Sequence, residues 1–287
     1  MTPFSLEGPP LSFAVVGYPV AQSVSPAMHE AAFRAYGSPH SYEKVALPPH
    51  AWADFLDETP HAGLNVTIPH KERAARDASE PSTLVRELGA ANVLSRTRGG
   101  WRAENTDALA LRTLFLEDYR PFLRGPILLL GAGGAARAAF WALREAGARE
   151  IWVRARKKEK ALAFLRSLAP SSGLEARALG WDEPFSLEPF SLVVHGTPLG
   201  MADPEESPLE GVAFPPGRGE RALLDVVVHR QVPRLGREAL QKGWHYEDGL
   251  RMLALQAALS WDVWFGIRGP LPLMLEAARK ALGREGW

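Results

Sequence analysis

The chain has 287 residues, of which 46% are hydrophobic and 23% charged, and its 33 basic side chains balance its 33 acidic ones. A chain of this kind can bury a substantial core in one large or two ordinary domains, and its charge balance argues against nucleic acid or a membrane surface as a partner. It has no cysteine, which excludes disulfides, thiolate metal sites and a cysteine nucleophile and fits a reducing compartment.

The amino-terminal residues carry no targeting pattern. Residues 1–10 lack both a basic start and an apolar signal core, so we expect them to form a loose extension. The longest apolar run is far short of a membrane span. We therefore expect a cytoplasmic protein with no membrane association.

The first half alternates strands and helices. The pattern predicts strands over 13–17, 42–47, 63–67 and 91–96. Helices are expected from Ser25, as an N-cap followed by Pro26, and from the Pro-Pro pair at 48–49. Further helices are expected from Pro69, over 84–88 and after the cap at 105–107.

The second half alternates more regularly. Strands are predicted over 127–130, 151–153, 192–195 and 223–228, with helices over 134–146, 157–168 and 230–242. Residues 170–189 look irregular, and two further helices are expected over 249–264 and 270–282. This alternation predicts an α/β fold with a doubly wound parallel sheet.

A glycine-rich turn stands between the first strand and helix of this second half. Ile127 to Leu130 lead into Gly131-x-Gly133-x-x-Ala136, which opens the helix. Glycines there allow a tight bend and a close approach to a pyrophosphate, and the helix start favours an anion. The alternative is an ordinary glycine-rich turn.

In a dinucleotide-binding fold, the end of the next strand lies beside the adenosine ribose. An acidic residue there accepts from the ribose 2′-OH of NAD, whereas arginine suits the 2′-phosphate of NADP. No Asp or Glu occurs between Val153 and Lys158, while Arg156 offers a guanidinium. The sequence therefore indicates NADP, the alternative being a solvated basic helix start.

Polar clusters follow several predicted elements of the first half. They are Ser23 and Ser25 beside a helix start, Asn65, Thr67 and Lys71 after a strand, Asn92, and Asn105 to Asp107. Two hydroxyls beside a helix start could bind a carboxylate. Each cluster alone also has an ordinary explanation as a helix cap, a turn or a surface ion pair.

In their order, these motifs resemble the shikimate dehydrogenase family over about residues 13–283. The matching motifs are Ser-x-Ser-Pro (23–26), Asn-Val-Thr-x-Pro-x-Lys (65–71), Gly-Ala-x-Asn (89–92), Asn-Thr-Asp (105–107), Gly-Ala-Gly-Gly-Ala (131–135) and Gly-x-x-Met-Leu-x-x-Gln-Ala (249–257). The resemblance implies reversible NADPH-linked reduction of 3-dehydroshikimate to shikimate, a step towards chorismate and the aromatic amino acids. It also implies two α/β domains flanking a cleft, a substrate domain over 1–108 plus 248–287 and a Rossmann-type NADP domain over 109–247.

The resemblance also implies roles for individual residues. Lys71 and Asp107 match the catalytic pair, Ser23 and Ser25 the hydroxyls that hold the substrate carboxylate, and Asn65, Thr67, Asn92 and Gln256 polar groups around the ring hydroxyls. The cofactor-binding positions would be Gly131, Ala132, Gly133, Gly134, Ala135, Arg156, Lys157, Lys160, Thr197, Gly249 and Met252. No metal is expected, the partner is a small-molecule substrate rather than nucleic acid, and the chain would act as a monomer or homodimer.

Three departures from the family pattern bear on this interpretation. Ala155-Arg156-Lys157 stands for Asn-Arg-Thr, and His195-Gly196-Thr197 for Asn-Ala-Thr. Val228 stands where the family usually has a tyrosine that reaches the substrate carboxylate, with His229 and Arg230 next to it. A paralogue acting on quinate or a related cyclic polyol acid is therefore one alternative, and a non-catalytic NADP(H)-binding regulator is another.

Overall fold

The computed structural model describes residues 3–168 and 173–284. They form two compact units. The first contains the residues up to Asp107 and those from Leu253 onward, and the second runs from Ala108 to Met252.

Helices and strands alternate along the chain. The strands are β1 (Ser12–Gly17), β2 (Ser41–Ala46), β3 (Gly63–Val66), β4 (Glu80–Pro81), β5 (Val93–Thr97), β6 (Gly100–Glu104), β7 (Ile127–Leu130), β8 (Glu150–Ala155), β9 (Glu175–Gly180), β10 (Leu192–His195), β11 (Ala222–Asp225) and β12 (His245–Glu247). The helices are α1 (Ser25–Ala35), α2 (Trp52–Glu58), α3 (Lys71–Asp77), α4 (Thr83–Leu88), α5 (Thr106–Glu117), α6 (Gly134–Glu145), α7 (Lys158–Leu168), α8 (Arg234–Gln241), α9 (Leu250–Phe265) and α10 (Leu271–Leu282). Short 3-10 turns lie at Pro49–Ala51 and Arg120–Arg124.

The first unit contains a mixed sheet in the order β2-β1-β3-β5-β6-β4. β1 pairs in parallel with β2 and β3, whereas β5 runs antiparallel to both β3 and β6. Phe13 to Val16 of β1 are buried because that strand lies inside the sheet, between two hydrogen-bonded neighbours. The ends of β3 and β1 therefore lie side by side and present the polar residues that follow them.

The second unit contains a wholly parallel sheet in the order β12-β11-β10-β7-β8-β9. Residues Ile127 to Leu130 of β7 are fully buried, as expected of a central strand covered on both faces. The chain winds from β7 to β9 on one side and returns through β10 to β12 on the other. The order therefore reverses between β7 and β10, where open α/β sheets bind their ligands. The predicted α/β fold with a doubly wound parallel sheet is confirmed.

Several local predictions need correction. Residues 175–180 form β9 instead of an irregular segment, although residues 170–172 lie outside the described part of the chain. Val24, not Ser25, occupies the N-cap of α1, and no side chain caps that helix.

The amino-terminal extension is also better ordered than expected, except that residues 1 and 2 lie outside the described part. The Phe4 N–H donates to the Trp264 carbonyl at 2.8 Å, and the Phe4 ring packs edge-on against Phe13. Within residues 3–168 and 173–284, no helix is long and apolar enough to cross a membrane.

Candidate active site

Lys71 and Asp107, the predicted catalytic pair, form an ion pair in the first unit. Lys71 is the first residue of α3 and Asp107 lies in the first turn of α5. The Lys71 Nζ and Asp107 Oδ2 atoms are 2.6 Å apart, and the two side chains are 17% and 8% exposed. The ammonium is therefore held at a site that is largely buried.

Asn92 fixes the other oxygen of the Asp107 carboxylate. Its Nδ2 atom lies 3.1 Å from Asp107 Oδ1, 2.9 Å from Thr106 Oγ1 and 3.2 Å from Gln256 Oε1. Its Oδ1 accepts from the Thr106 N–H at 2.7 Å. Because both carboxylate oxygens have a donor, the orientation of Asp107 is set before any ligand binds.

Asn65 connects the same cluster to β2 and α9. Tyr42 Oη donates to Asn65 Oδ1 at 2.7 Å, and Asn65 Nδ2 donates to Ser260 Oγ at 2.9 Å. Ser260 Oγ donates in turn to the Gln256 carbonyl at 2.9 Å. Sequence reasoning missed Tyr42 and Ser260. Ser260 had a signal, because it follows Gln256 by one helical turn and shares its face.

The serine pair is also assembled. The Ser23 hydroxyl donates to Ser25 Oγ at 3.1 Å, and the Ser25 N–H donates to Ser23 Oγ at 3.3 Å. Burial raises the pKa of the Tyr42 phenol well above its ordinary value, against a smaller opposite effect of a hydrogen bond with Ser25. Tyr42 is therefore a neutral hydroxyl between the serine pair and Asn65.

Thr67 is the one predicted substrate residue whose contribution in this structure is packing. Its methyl group lies so close to Gly17 that a Cβ at position 17 would collide with it. Its N–H donates to the Val16 carbonyl at 2.9 Å, and its carbonyl accepts from the His70 N–H at 2.9 Å. These bonds fix the turn that leads into Lys71.

The glycine turn of the second unit has the geometry of an anion cradle. Gly131 has φ +112°, and a Cβ there would lie 2.9 Å from the Gly196 carbonyl oxygen. Gly133 is the N-cap of α6, and a Cβ on it would meet nothing within 4 Å. No side chain caps α6. Ala132 and Gly133 connect Gly131 to the helix, whose first turn includes Gly134 and Ala135 and has no acidic residue. The free N–H groups and open space fit a dinucleotide phosphate.

The basic run after β8 divides into two kinds of side chain. Arg156, Lys157 and Lys160 are exposed, and none has an ion-pair partner among the residues that the structure describes. Lys158 instead pairs with Glu183 at 2.8 Å. The three unpaired cations fit a phosphate group.

Arg154 from the same run is buried and engaged inside the unit. Its guanidinium donates to the Trp181 carbonyl at 2.8 Å and stacks on the Phe185 ring at 4.0 Å. Burial lowers the pKa of Arg154 below its ordinary value. Arg154 belongs to β8 and is buried, whereas Arg156 follows the strand and is exposed.

Of the remaining predicted cofactor residues, Thr197 follows β10, whereas Gly249 and Met252 follow β12. A Cβ at Gly249 would collide with the Val226 carbonyl, so the backbones approach closely there, and Met252 is buried. His229 is also buried, with its Nε2 atom 2.9 Å from Asp225 Oδ2. It is therefore engaged inside the unit by Asp225.

Comparison with protein families matches both ends of the chain. A model described as the shikimate dehydrogenase substrate binding domain matches residues 15–94. A model described as the shikimate 5′-dehydrogenase C-terminal domain matches residues 249–279.

Individual relatives match over nearly the full length. A shikimate dehydrogenase (NADP(+)) of Thermus thermophilus is 40% identical over 275 residues, which cover 95% of this chain and 99% of the relative. A solved structure of shikimate 5-dehydrogenase from the same organism, in complex with NADP(H) and shikimate, superposes with a TM-score of 0.81 at 37% identity, covering 94% of this chain and 99% of that one. The ligand-free 5-ketofructose reductase of a Gluconobacter species has a TM-score of 0.80 at 24% identity over 95% of this chain and 99% of its own, which shows a shared fold alone.

Proposed function

The chain belongs to the shikimate dehydrogenase family, and on that premise we propose that it catalyses the reversible NADPH-dependent reduction of 3-dehydroshikimate to shikimate. Relatives that include one at 40% identity carry the name shikimate dehydrogenase (NADP(+)), and one solved neighbour is in complex with NADP(H) and shikimate. The reaction is a step towards chorismate and the aromatic amino acids.

The observation that carries the proposal is the Lys71–Asp107 pair, with its 2.6 Å contact and its support by Asn92. Reduction of a ketone requires a proton on the oxygen as the hydride reaches the carbon, because an uncompensated alkoxide away from water is costly. In this role the Lys71 ammonium donates its proton to the ketone oxygen during reduction and takes it back from the hydroxyl during oxidation. Asp107 holds the lysine in place.

The remaining polar groups bind and orient the ring. The Ser23 and Ser25 hydroxyls bind the substrate carboxylate. When it binds, the Ser23 hydrogen turns from Ser25 Oγ, 3.1 Å away, to one carboxylate oxygen, and the Ser25 hydroxyl donates to the other. Asn65, Asn92 and Gln256 bind the ring hydroxyls with their amide groups, and Thr67 shapes the turn beside them.

NADP(H), when bound, supplies or receives the hydride. The turn from Gly131 to Ala135 would hold its pyrophosphate, with Thr197 beside that turn, and Arg156, Lys157 and Lys160 would hold its 2′-phosphate. Gly249 and Met252 would lie near its nicotinamide. The open Cβ position of Gly133 and the unpaired guanidinium of Arg156 support this assignment. The second unit is accordingly the cofactor domain and the first the substrate domain.

Quinate or a related cyclic polyol acid is the second candidate substrate. Val228 has no hydroxyl where the family usually has tyrosine, and His229 is bonded to Asp225 instead. A pocket without that hydroxyl would bind the shikimate carboxylate through fewer donors and tolerate a bulkier ring.

Steady-state kinetics on the purified chain distinguishes the candidates. We would measure kcat/KM from NADPH absorbance for shikimate and for quinate, each with NADP and with NAD, using Lys71→Met enzyme purified in parallel to correct for contaminating dehydrogenase. The highest value is expected for shikimate with NADP. A higher value for quinate would favour the second candidate, and binding of NADP without any turnover would favour a regulator.

The proposal extends to the setting of the enzyme. We place it in the cytoplasm, where NADPH supports biosynthesis, as a monomer or homodimer acting on a small molecule. Cell fractionation and sedimentation velocity would test these two statements.

A further inference from the structure

Two histidines and an aspartate form a buried cluster at the carboxyl edge of the second unit's sheet. His195 ends β10 and Asp225 ends β11, and the parallel register places them directly side by side. His195 Nδ1 is 2.9 Å from Asp225 Oδ1, and His229 Nε2 is 2.9 Å from Asp225 Oδ2. We call these three residues the His–Asp–His cluster. No role in the proposed reaction accounts for it.

The hydrogen bonds of the cluster assign the ring protons. Burial alone would raise the pKa of Asp225, but the hydrogen bonds with His195 and His229 outweigh it and hold that pKa below its ordinary value. Asp225 is therefore an ionised carboxylate that can only accept. His195 Nδ1 and His229 Nε2 must both carry hydrogen. In a neutral His195 ring, Nε2 is then an acceptor.

The other ring nitrogen of His195, Nε2, faces Thr197. His195 Nε2 and Thr197 Oγ1 are 2.7 Å apart, and Thr197 Oγ1 also accepts from the Leu199 N–H at 3.2 Å. Opposite a neutral His195, the Thr197 hydroxyl gives its only hydrogen to the ring. Opposite a protonated ring, Thr197 accepts from Nε2 and its own hydrogen is released.

Thr197 lies against the glycine turn. A Cβ at Gly131 would be 3.2 Å from the Thr197 methyl carbon and 2.9 Å from the Gly196 carbonyl. Thr197 therefore lies between His195, to which it is hydrogen-bonded, and the glycine turn proposed to hold phosphate.

Charged groups lie near His195 on several neighbouring elements. From β11, Asp225 faces it directly, with His229 on the far carboxylate oxygen, and Asp248 accepts from the His229 N–H at 3.2 Å. From β7, the register partner is apolar Leu130. Beyond Leu130 in the same cross-strand row, Arg154 of β8 is a cation, and its guanidinium donates to the Trp181 carbonyl. The charged group in direct contact with His195 is the Asp225 carboxylate, and a bound phosphate would add further negative charge.

We propose that His195 is a positioning residue for NADP: when the dinucleotide binds, His195 takes up a proton from solvent on Nε2, and the Thr197 hydroxyl is released to donate to a phosphate oxygen. This inference rests on the proposed function, because it requires the glycine turn to hold NADP. It gives NADP affinity a pH dependence that belongs to this chain's histidine and not to the asparagine of the family pattern.

The test measures the NADP dissociation constant by titration calorimetry between about pH 6 and about pH 9. Four full-length proteins are compared: wild type, His195→Asn, Thr197→Val and, as the matched control, His229→Gln, which keeps an N–H for Asp225 and leaves the His195–Thr197 bond intact. The 2′-phosphate of NADP titrates near pH 6 itself, at about its ordinary second pKa, but identically in all four samples. Buffers of different ionisation enthalpy report the protons taken up.

Wild type and His229→Gln should lose affinity with rising pH, by up to about tenfold per pH unit, the limit for one linked proton. In His195→Asn and Thr197→Val, this pH dependence of NADP affinity and the linked proton uptake should be absent. Thr197→Val should also bind NADP roughly tenfold more weakly than wild type at the lowest pH measured. In kinetics the KM for NADP should follow these changes while kcat at saturating NADP moves little.

The outcomes separate the two proposals. Parallel pH profiles in all four proteins, with wild type binding NADP, would overturn the role of His195 and leave the proposed function intact. No NADP binding by wild type at any pH would overturn both. If His195→Asn unfolds, Thr197→Val decides the question, because it replaces a hydroxyl by a methyl group without altering the cluster, and a retained wild-type profile in it would refute the inference.

Discussion

Replacing the two members of the Lys71–Asp107 pair, singly and together, tests whether they act as a unit. Lys71→Met removes the ammonium. Asp107→Asn keeps the shape and the bond to Asn92 but places an uncharged amide within 2.6 Å of the lysine nitrogen. Each single change should reduce kcat by about 10²–10⁴-fold, the range for a general acid–base group. KM for shikimate should change much less, since Ser23 and Ser25 still bind the substrate.

The loss of kcat in the double variant distinguishes a pair that acts as a unit from two residues that act independently. Because Asp107 acts only by holding Lys71, removing it after the lysine has gone should cost little, and the double variant should resemble the slower single variant. Independent residues would instead multiply to a loss of about 10⁴–10⁸-fold.

The assay is initial rate by NADPH absorbance at saturating substrate and cofactor, with the double variant and both singles measured beside wild type. Lys280→Met, an exposed lysine in the last turn of α10, is the matched control and should behave as wild type. Near-normal kcat in Lys71→Met, or losses that simply multiply, would refute the reasoning and direct attention to His70 or a water chain as the proton path.

Three further predictions concern substrate, cofactor and stability. Replacing Ser23 and Ser25 together by alanine should raise KM for shikimate by more than it lowers kcat, and an unchanged KM would remove the carboxylate assignment. Arg156→Ala should weaken NADP roughly ten- to hundredfold, the value of a charge-assisted bond of about 1.5–3 kcal/mol, while leaving NAD nearly unchanged; equal losses for both cofactors in competition binding would contradict it. Burial lowers the pKa of His29 from 6.5 to about 3, so between these pH values the unfolded chain binds a proton on His29 and the folded chain does not. The stability that depends on neutral His29 is complete above about pH 6.5 and is lost as pH falls towards 3, on the order of 5 kcal/mol over the whole interval. Urea unfolding of His29→Asn, which keeps an acceptor for the Trp261 N–H, should lose less stability between those limits than wild type, and identical slopes would exclude His29 as the cause.

The sequence predicted the elements whose pattern is local. β7 and β10 were predicted residue for residue, because each is a short run of apolar residues that ends at or just before a glycine. β9 was missed because Glu175 to Gly180 is half-exposed at the sheet edge and carries little apolar signal. β12, with three residues, is too short for any periodicity to appear.

Side-chain partners across elements could not be predicted in the same way. The glycine spacing indicated an anion cradle, but the bond between His195 and Asp225 depends on the register of β10 against β11, which no local pattern encodes. Arg154 and Arg156 lie in one basic run of the sequence, and the burial of Arg154 between the Trp181 carbonyl and the Phe185 ring is visible only in the structure.

The most direct test of the central claim is to follow the hydrogen that the reaction transfers. Shikimate carrying deuterium on the ring carbon that becomes the ketone would be oxidised by the wild-type enzyme with NADP, and both products analysed by mass spectrometry. We expect 3-dehydroshikimate and reduced cofactor in equal amounts, with the deuterium on the reduced nicotinamide. Absence of reduced cofactor, or reduced cofactor without deuterium, would contradict the proposed hydride transfer.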